Sequence, residues 1–474
     1  MDVGHLANTG VNLTGYADQI NIERKKFTIN YRKEKFFQNV IHMKRNLAEL
    51  KPKVLTNDSN LEALKPESLS DAFQAQTEEA IHQFLSIFLN VAQSSLNDAK
   101  RVVCTDQFID GLSSLYNLTF SDSTMFEIYE VTSITFNNCR NMQKLVDSDI
   151  IGTLTGQLYE QNPNLIYKQI ELISSIAMSS DYARDALLCF GVHNIMVDIF
   201  NSSEESDLKT LSCKCIYALF QANGKVDTCI IQEFIPSIVE MFSTAENPQL
   251  EALFGTLIEM TNQDPEAVFT IYNLNAFPAI VQAISSPDLT NVALSLCGNL
   301  TVSQPVQILN LIELGLKEQL FAQLDGEYAP LSLWVLSNMI ECCPNEILST
   351  FTPEMILSII KNANEGSSEF KQEATFLVSS LVLFSTLDMR FYCQQDVIDL
   401  LTEMLGCGIY YVTIRCIDAL IKIIDFCNKE GTTDEIECML KSCDFCDRID
   451  DLTDCQNAEI QKRLAILQKT ADFC

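Results

Sequence analysis

DIIGTLTGQL at residues 149–158, VHNIMVDIF at 192–200, FIPSIVEMF at 234–242 and FPAIVQAI at 277–284 are four versions of one apolar stretch. Their closing residues, Leu158, Phe200, Phe242 and Ile284, stand 42 residues apart. A fixed period of that length marks a chain built from stacked copies of one helical unit. Each copy can bury its apolar face only against its neighbours. The expected product is an elongated helical solenoid with a long groove, an architecture that usually binds other proteins.

A second apolar helix follows each of these stretches. Its core positions recur as Ile134, Ile176, Leu219, Leu257, Leu300, Met339 and Leu381, at steps of 38 to 43 residues. The turn chemistry agrees. Thr352-Pro353 reads as an N-cap followed by proline at the first helical position, where the missing N–H costs nothing. Gly191 and Gly315 fall between helices, as expected of glycine at a helix end. The spacing predicts about eight to ten units, which overrides the roughly three domains that length alone suggests.

Apolar residues make up 47% of the 474 positions, enough for a continuous core, while glycine (16) and proline (12) are scarce, as helices require. The net charge of -31 comes from 63 acidic against 32 basic residues. Such a surface repels nucleic acid and anionic membranes and attracts basic partners, so neither of the first two is an expected partner. The charge is unevenly placed. Residues 1–50 carry Arg24, Lys25, Lys26, Arg32, Lys33, Lys35, Lys44 and Arg45 against five acidic residues, a net +3 that leaves -34 for the remainder.

Three regions follow from composition. Residues 1–50 form a flexible basic arm, of which 1–22 read as disordered and 23–49 could become helical when bound. Residues 51–70 form a polar, proline-containing linker, and 71–474 a repeat domain. The opening MDVGHLANTGVN has no basic segment leading into an apolar core, as a secretory signal would. The longest apolar run, at 374–387, is short of the roughly 20 residues that span a bilayer. Most of the 18 cysteines sit inside apolar helical patterns and read as reduced thiols acting as small core residues, which points to the cytoplasm or nucleus.

Several strings narrow the reading further. LSLWVLSNMIE (331–341), NVALSLCGNLTV (291–302) and FKQEATFLVSSL (370–381) resemble the third helices of the importin-α (karyopherin-α) family, whose unit is the three-helix armadillo repeat. MFEIYEVTSITFNN (125–138) and residues 167–188 resemble its earlier repeats. The stretches at 412–425 and 436–473 are similar to its last ones. ERKKFTINYRKEKFFQNVIHMKRN (23–46) resembles the family's importin-β-binding segment, though its last cluster, Lys44-Arg45-Asn46, is one basic residue short and one position late. The resemblance covers nearly the whole chain. It implies an all-α, right-handed superhelical armadillo solenoid preceded by a basic arm. It also implies a nuclear import adaptor that shuttles between cytoplasm and nucleus and binds Lys/Arg-rich signals of cargo proteins. Its other partners would be importin-β and a nuclear export receptor for recycling. The arm residues named above would bind importin-β or fold back over the groove, competing with cargo through high effective concentration.

Trp334 and Asn338 lie four apart and share a helix face. In the family such a pair lines the groove. The Asn amide clamps the peptide backbone, and the indole stacks on a cationic side chain at roughly 0.5–2 kcal/mol per contact. The resemblance extends this site to Asn299 and Phe376. The corresponding earlier pairs, Tyr129 with Ser133 and Glu171 with Ser175, retain neither Trp nor Asn and read as a degenerate major site. The plainer alternative makes Trp334 core filler and Asn338 an exposed helix residue.

Cys438, Cys443, Cys446 and Cys455 form a local cluster, but their spacing fits no usual zinc pattern. His5, His42, His82 and His193 are scattered, and there is no Gly-rich phosphate loop, G-x-S-x-G or H-E-x-x-H. No catalytic residue, cofactor or metal is expected. A cytoplasmic armadillo or HEAT scaffold unconnected with transport stands as the alternative function.

Overall fold

The computed structural model describes residues 77–471, apart from 161, 222–223 and 385–387, and the side chain of residue 160 is likewise outside the description. The basic arm with Arg24, Lys25, Lys26, Arg32, Lys33, Lys35, Lys44 and Arg45, and the linker at 51–70, lie outside the described residues. Helices account for the regular structure, and no strand occurs among the described residues. They gather into two compact bodies, which divide between residues 274 and 275.

The first body opens with α1 (Glu78–Ser94). Two complete three-helix units follow: α2 (Leu96–Val103), α3 (Asp106–Leu115) and α4 (Asp122–Asn138), then α5 (Met142–Asp147), α6 (Ile150–Glu160) and α7 (Ile166–Ser179). A third comprises α8 (Asp181–Cys189), α9 (Val192–Ser202) and α10 (Ser206–Gln221). Then come α11 (Thr228–Met241), α12 (Asn247–Gln263) and α13 (Ala267–Asn273). Within this body α1, α4, α7, α10 and α12, the last helices of their units, pack each against the next.

The second body holds α14 (Phe277–Ala283) and α15 (Thr290–Leu300), then the unit α16 (Pro305–Glu313), α17 (Leu316–Ala322) and α18 (Ala329–Cys342). Next are α19 (Pro344–Leu348), α20 (Pro353–Glu365) and α21 (Ser368–Phe384). A 3-10 turn (Met389–Tyr392) precedes α22 (Gln395–Glu403) and α23 (Tyr410–Glu430), and α24 (Thr433–Ser442), α25 (Phe445–Thr453) and α26 (Ala458–Thr470) complete the body. Here α15, α18, α21, α23 and α26 again pack each against the next.

The helices begin and end where the chain chemistry directs. The Thr352 hydroxyl accepts from the backbone N–H of Met355 with Pro353 at the first position of α20. Gly191 and Gly315 take positive φ (72° and 89°), the left-handed conformation that lets one helix stop and the next start. Leu158, Phe200 and Ile284 are fully buried, as are Ile176, Leu219, Leu257, Leu300 and Met339. Phe242 and Ile134 are half-buried. Burial of this kind contributes roughly 1.5–3 kcal/mol per large side chain, which is why the period holds the stack together.

The cysteines divide by position. Cys213, Cys215, Cys297 and Cys416 are core residues whose burial pushes their thiols well above the usual range, to about 12 for the first three. Cys446 departs from the expectation of reduced thiols because it is disulfide-bonded. It is half-exposed near the start of a short helix, so packing does not shield it as it does the core cysteines. Among the described residues no helix is long and apolar enough to cross a membrane.

Candidate peptide-binding face

On the first body, a cleft of about 240 Å³ opens between α4 and α7. Phe126, Tyr129, Glu130 and Ser133 line it from α4, and Lys168, Glu171 and Leu172 from α7. The spacing explains the arrangement: residues three and four apart on a helix share one face. Three of the four positions read as a degenerate major site, Tyr129, Ser133 and Glu171, are therefore brought together. The fourth, Ser175, joins them at the edge, its hydroxyl 2.8 Å from that of Ser133. Asn137 Nδ2 donates to the same Ser175 hydroxyl at 2.8 Å.

Tyr129 is a fixed part of the wall. It is 2% exposed, its hydroxyl donates to Gln157 Oε1 at 3.2 Å, and it accepts from Gln169 Nε2 at 3.0 Å. Above it the ring of Phe126 is 37% exposed, and the carboxylates of Glu130 and Glu171 face solvent. Lys168 Nζ lies 2.6 Å from Glu171 Oε2 with both side chains half-open. An exposed pair of this type is worth only about 0–1 kcal/mol, so an incoming cation can displace it. An accessible aromatic ring in one cleft with two carboxylates is chemistry suited to the stem and charge of a lysine or arginine.

The second body treats its corresponding positions differently. Asn299 is 2% exposed, Trp334 3%, Asn338 3% and Phe376 fully buried. The indole of Trp334 lies against the backbone of Gly298 on α15, where a Cβ would stand only 1.6 Å from Trp334 Cζ3. Asn338 Nδ2 donates to the carbonyl oxygen of Gly298 at 3.1 Å and to Thr301 Oγ1 at 3.3 Å. Its amide donors thus serve the C-terminal end of α15, whose last carbonyls have no partner within their own helix. Asn338 is equally unlike the exposed residue of the plainer alternative.

The same device recurs along the stack. Gln263 Nε2 donates to the carbonyl oxygen of Phe220 near the end of α10 at 2.9 Å. Lys422 Nζ donates to those of Val382 and Leu383 near the end of α21 at 3.0 and 2.8 Å. Burial lowers the Lys422 ammonium from its usual pKa, and the helix end supplies the compensating carbonyls.

A unit of three helices repeating at about 42 residues is the armadillo plan. An engineered protein of known crystal structure is similar over 86% of this chain and 98% of its own, with TM-score 0.66 and 14% sequence identity. The fold is an all-α repeat of the armadillo type. At that identity the likeness concerns the fold alone. A designed armadillo repeat protein is similar over 49% of this chain and 99% of its own, with TM-score 0.43 and 14% identity. No family model matches the sequence, and no curated protein matches it.

Phe126, Glu130, Lys168 and Leu172 were not singled out by sequence reasoning. Each stands three or four residues from a position that was, so helical periodicity alone could have found them. No such signal marks which third-helix positions are buried.

Proposed function

We propose that this armadillo-type repeat scaffold binds an extended, basic segment of a partner protein on the third-helix face of its first body. The cleft that combines the open ring of Phe126 with the carboxylates of Glu130 and Glu171 carries this reading. The net charge of -31 supports it by drawing basic partners at long range. In its finer form the chain is a nuclear import adaptor. Its basic arm engages importin-β, its cargo carries a Lys/Arg-rich signal, and an export receptor returns it to the cytoplasm. The arm's composition and the resemblance of residues 23–46 support that form. The alternative form is a scaffold without transport duties, which needs only the armadillo-type stack and the open cleft.

Titration of the full chain with a Lys/Arg-rich peptide tests the first statement. Glu130→Gln with Glu171→Gln should weaken binding about tenfold, as expected for two exposed cation contacts near 0.5–1 kcal/mol each. Equal affinity of the double variant and the parent would remove the cleft from the reading. Alanine at Lys25, Lys26, Lys33 and Lys35 should reduce recovery on immobilised importin-β at physiological salt. Undiminished recovery would leave the scaffold reading alone.

A further inference from the structure

Glu341 stands near the end of α18, Phe376 in the middle of α21 and Arg415 in the first half of α23. These are consecutive third helices of the second body. Arg415 Nη2 lies 2.5 Å from Glu341 Oε1, a contact between residues 74 positions apart that bridges from α23 past α21 to α18. Its guanidinium carbon stands 5.5 Å from the centroid of the Phe376 ring. The side chains of Arg415 and Glu341 are 2% and 1% exposed. Ser380, one turn beyond Phe376, donates its hydroxyl to the same Glu341 oxygen at 3.4 Å.

An aromatic ring beside a carboxylate is the combination that receives an arginine from a binding partner. Here the chain supplies the arginine itself. The pair is also incompletely satisfied: Arg415 Nε and Glu341 Oε2 are buried with no hydrogen-bond partner among the described residues. The acid on α23 nearest this region, Asp418, is engaged by Arg463 at 3.1 Å, and Arg463 in turn pairs with Glu459, so Glu341 on α18 is the direct ionic partner of Arg415.

We infer that Arg415 is a built-in occupant of a cation-accepting position on the second body, formed by Phe376 and Glu341, and that it shuts basic side chains of a partner out of that position. The inference rests on the reading that third-helix faces take basic segments. It makes Arg415 the residue that closes the Phe376–Glu341 position to a partner's cation.

The test uses the full chain and N-methylguanidinium, the tip of an arginine side chain, at millimolar concentration. Arg415→Ala should bind it saturably, with a melting temperature that rises by about 2 °C at ten times the dissociation constant. The parent should show no such rise. Arg415→Met fills the same space without a charge and should not respond, and Arg415→Ala combined with Glu341→Gln should lose the response. A rise of the same size in the parent or the Met variant, or none in Arg415→Ala, would overturn the inference. If Arg415→Ala folds only when N-methylguanidinium is added, the inference is supported; failure to fold with and without it counts against. A basic peptide that fails to bind the parent removes the proposed function but leaves this measurement intact. The reverse pattern removes only the role of Arg415.

Discussion

Trp334 and Gly298 are a packed pair: the indole of one third helix occupies the space that a side chain at the preceding third helix would fill. A Cβ at position 298 would come within 1.6 Å of Cζ3 and 2.1 Å of Cη2 of the ring. Gly298→Ala should therefore destabilise the protein by about 1–3 kcal/mol, the range for overpacking a tight core. Trp334→Leu in the same chain should recover part of that loss by clearing the ring. Chemical denaturation of the single and double variants measures both. A Gly298→Ala protein as stable as the parent would mean that α15 and α18 can separate freely.

Asn338 provides a second reading of the same contact. Asn338→Ala removes both donors from the end of α15; the Gly298 carbonyl oxygen keeps the Thr301 hydroxyl at 3.1 Å, so the cost should be about 0.5–1.5 kcal/mol, that of one hydrogen bond. Asn338→Asp should be worse, since it places a carboxylate against the Gly298 carbonyl oxygen. Folded Asn338→Ala should bind a basic peptide as tightly as the parent. A large loss of peptide affinity without loss of stability would instead restore the residue to a peptide clamp.

His193 introduces a dependence on pH. Its Nδ1 is buried without a hydrogen-bond partner among the described residues, and its ring meets that of Phe234 edge-on at 4.9 Å. Burial lowers its pKa from the usual value near 6.5. Below that usual value the unfolded chain takes up a proton that the folded chain does not. The stability linked to His193 is thus complete above about pH 6.5 and is lost as pH falls through the lower, folded-state pKa. His193→Phe lacks this component. Between about pH 7.5 and 5, the parent's urea midpoint should fall more than the variant's. Parallel profiles would exclude the imidazole as the source.

Glu341→Ala strands the Arg415 guanidinium in the interior and should cost about 3–5 kcal/mol. Replacing both partners, as Glu341→Leu with Arg415→Met, should cost much less, because no unpaired charge remains. Urea unfolding distinguishes the two. Equal losses would show that the pair is no more than packing.

The armadillo-type stack was legible at residues 149–158, 192–200, 234–242 and 277–284 because an apolar period is a local property of the chain, copied from unit to unit. Thr352-Pro353, Gly191 and Gly315 were legible for the same reason: caps and left-handed turns depend on one or two residues. The shared face of Tyr129 and Ser133 also followed from helix geometry. Exposure did not follow. Helical spacing places Trp334 and Asn338 on one face but cannot say that Gly298 lies close enough to seal it. Nor does any pattern link Arg415 to Glu341, 74 residues away, since long flexible side chains meet wherever successive units happen to converge. Period and caps are set by short-range sterics and burial. Which faces remain open is set by how neighbouring third helices approach and by which charges find each other across them.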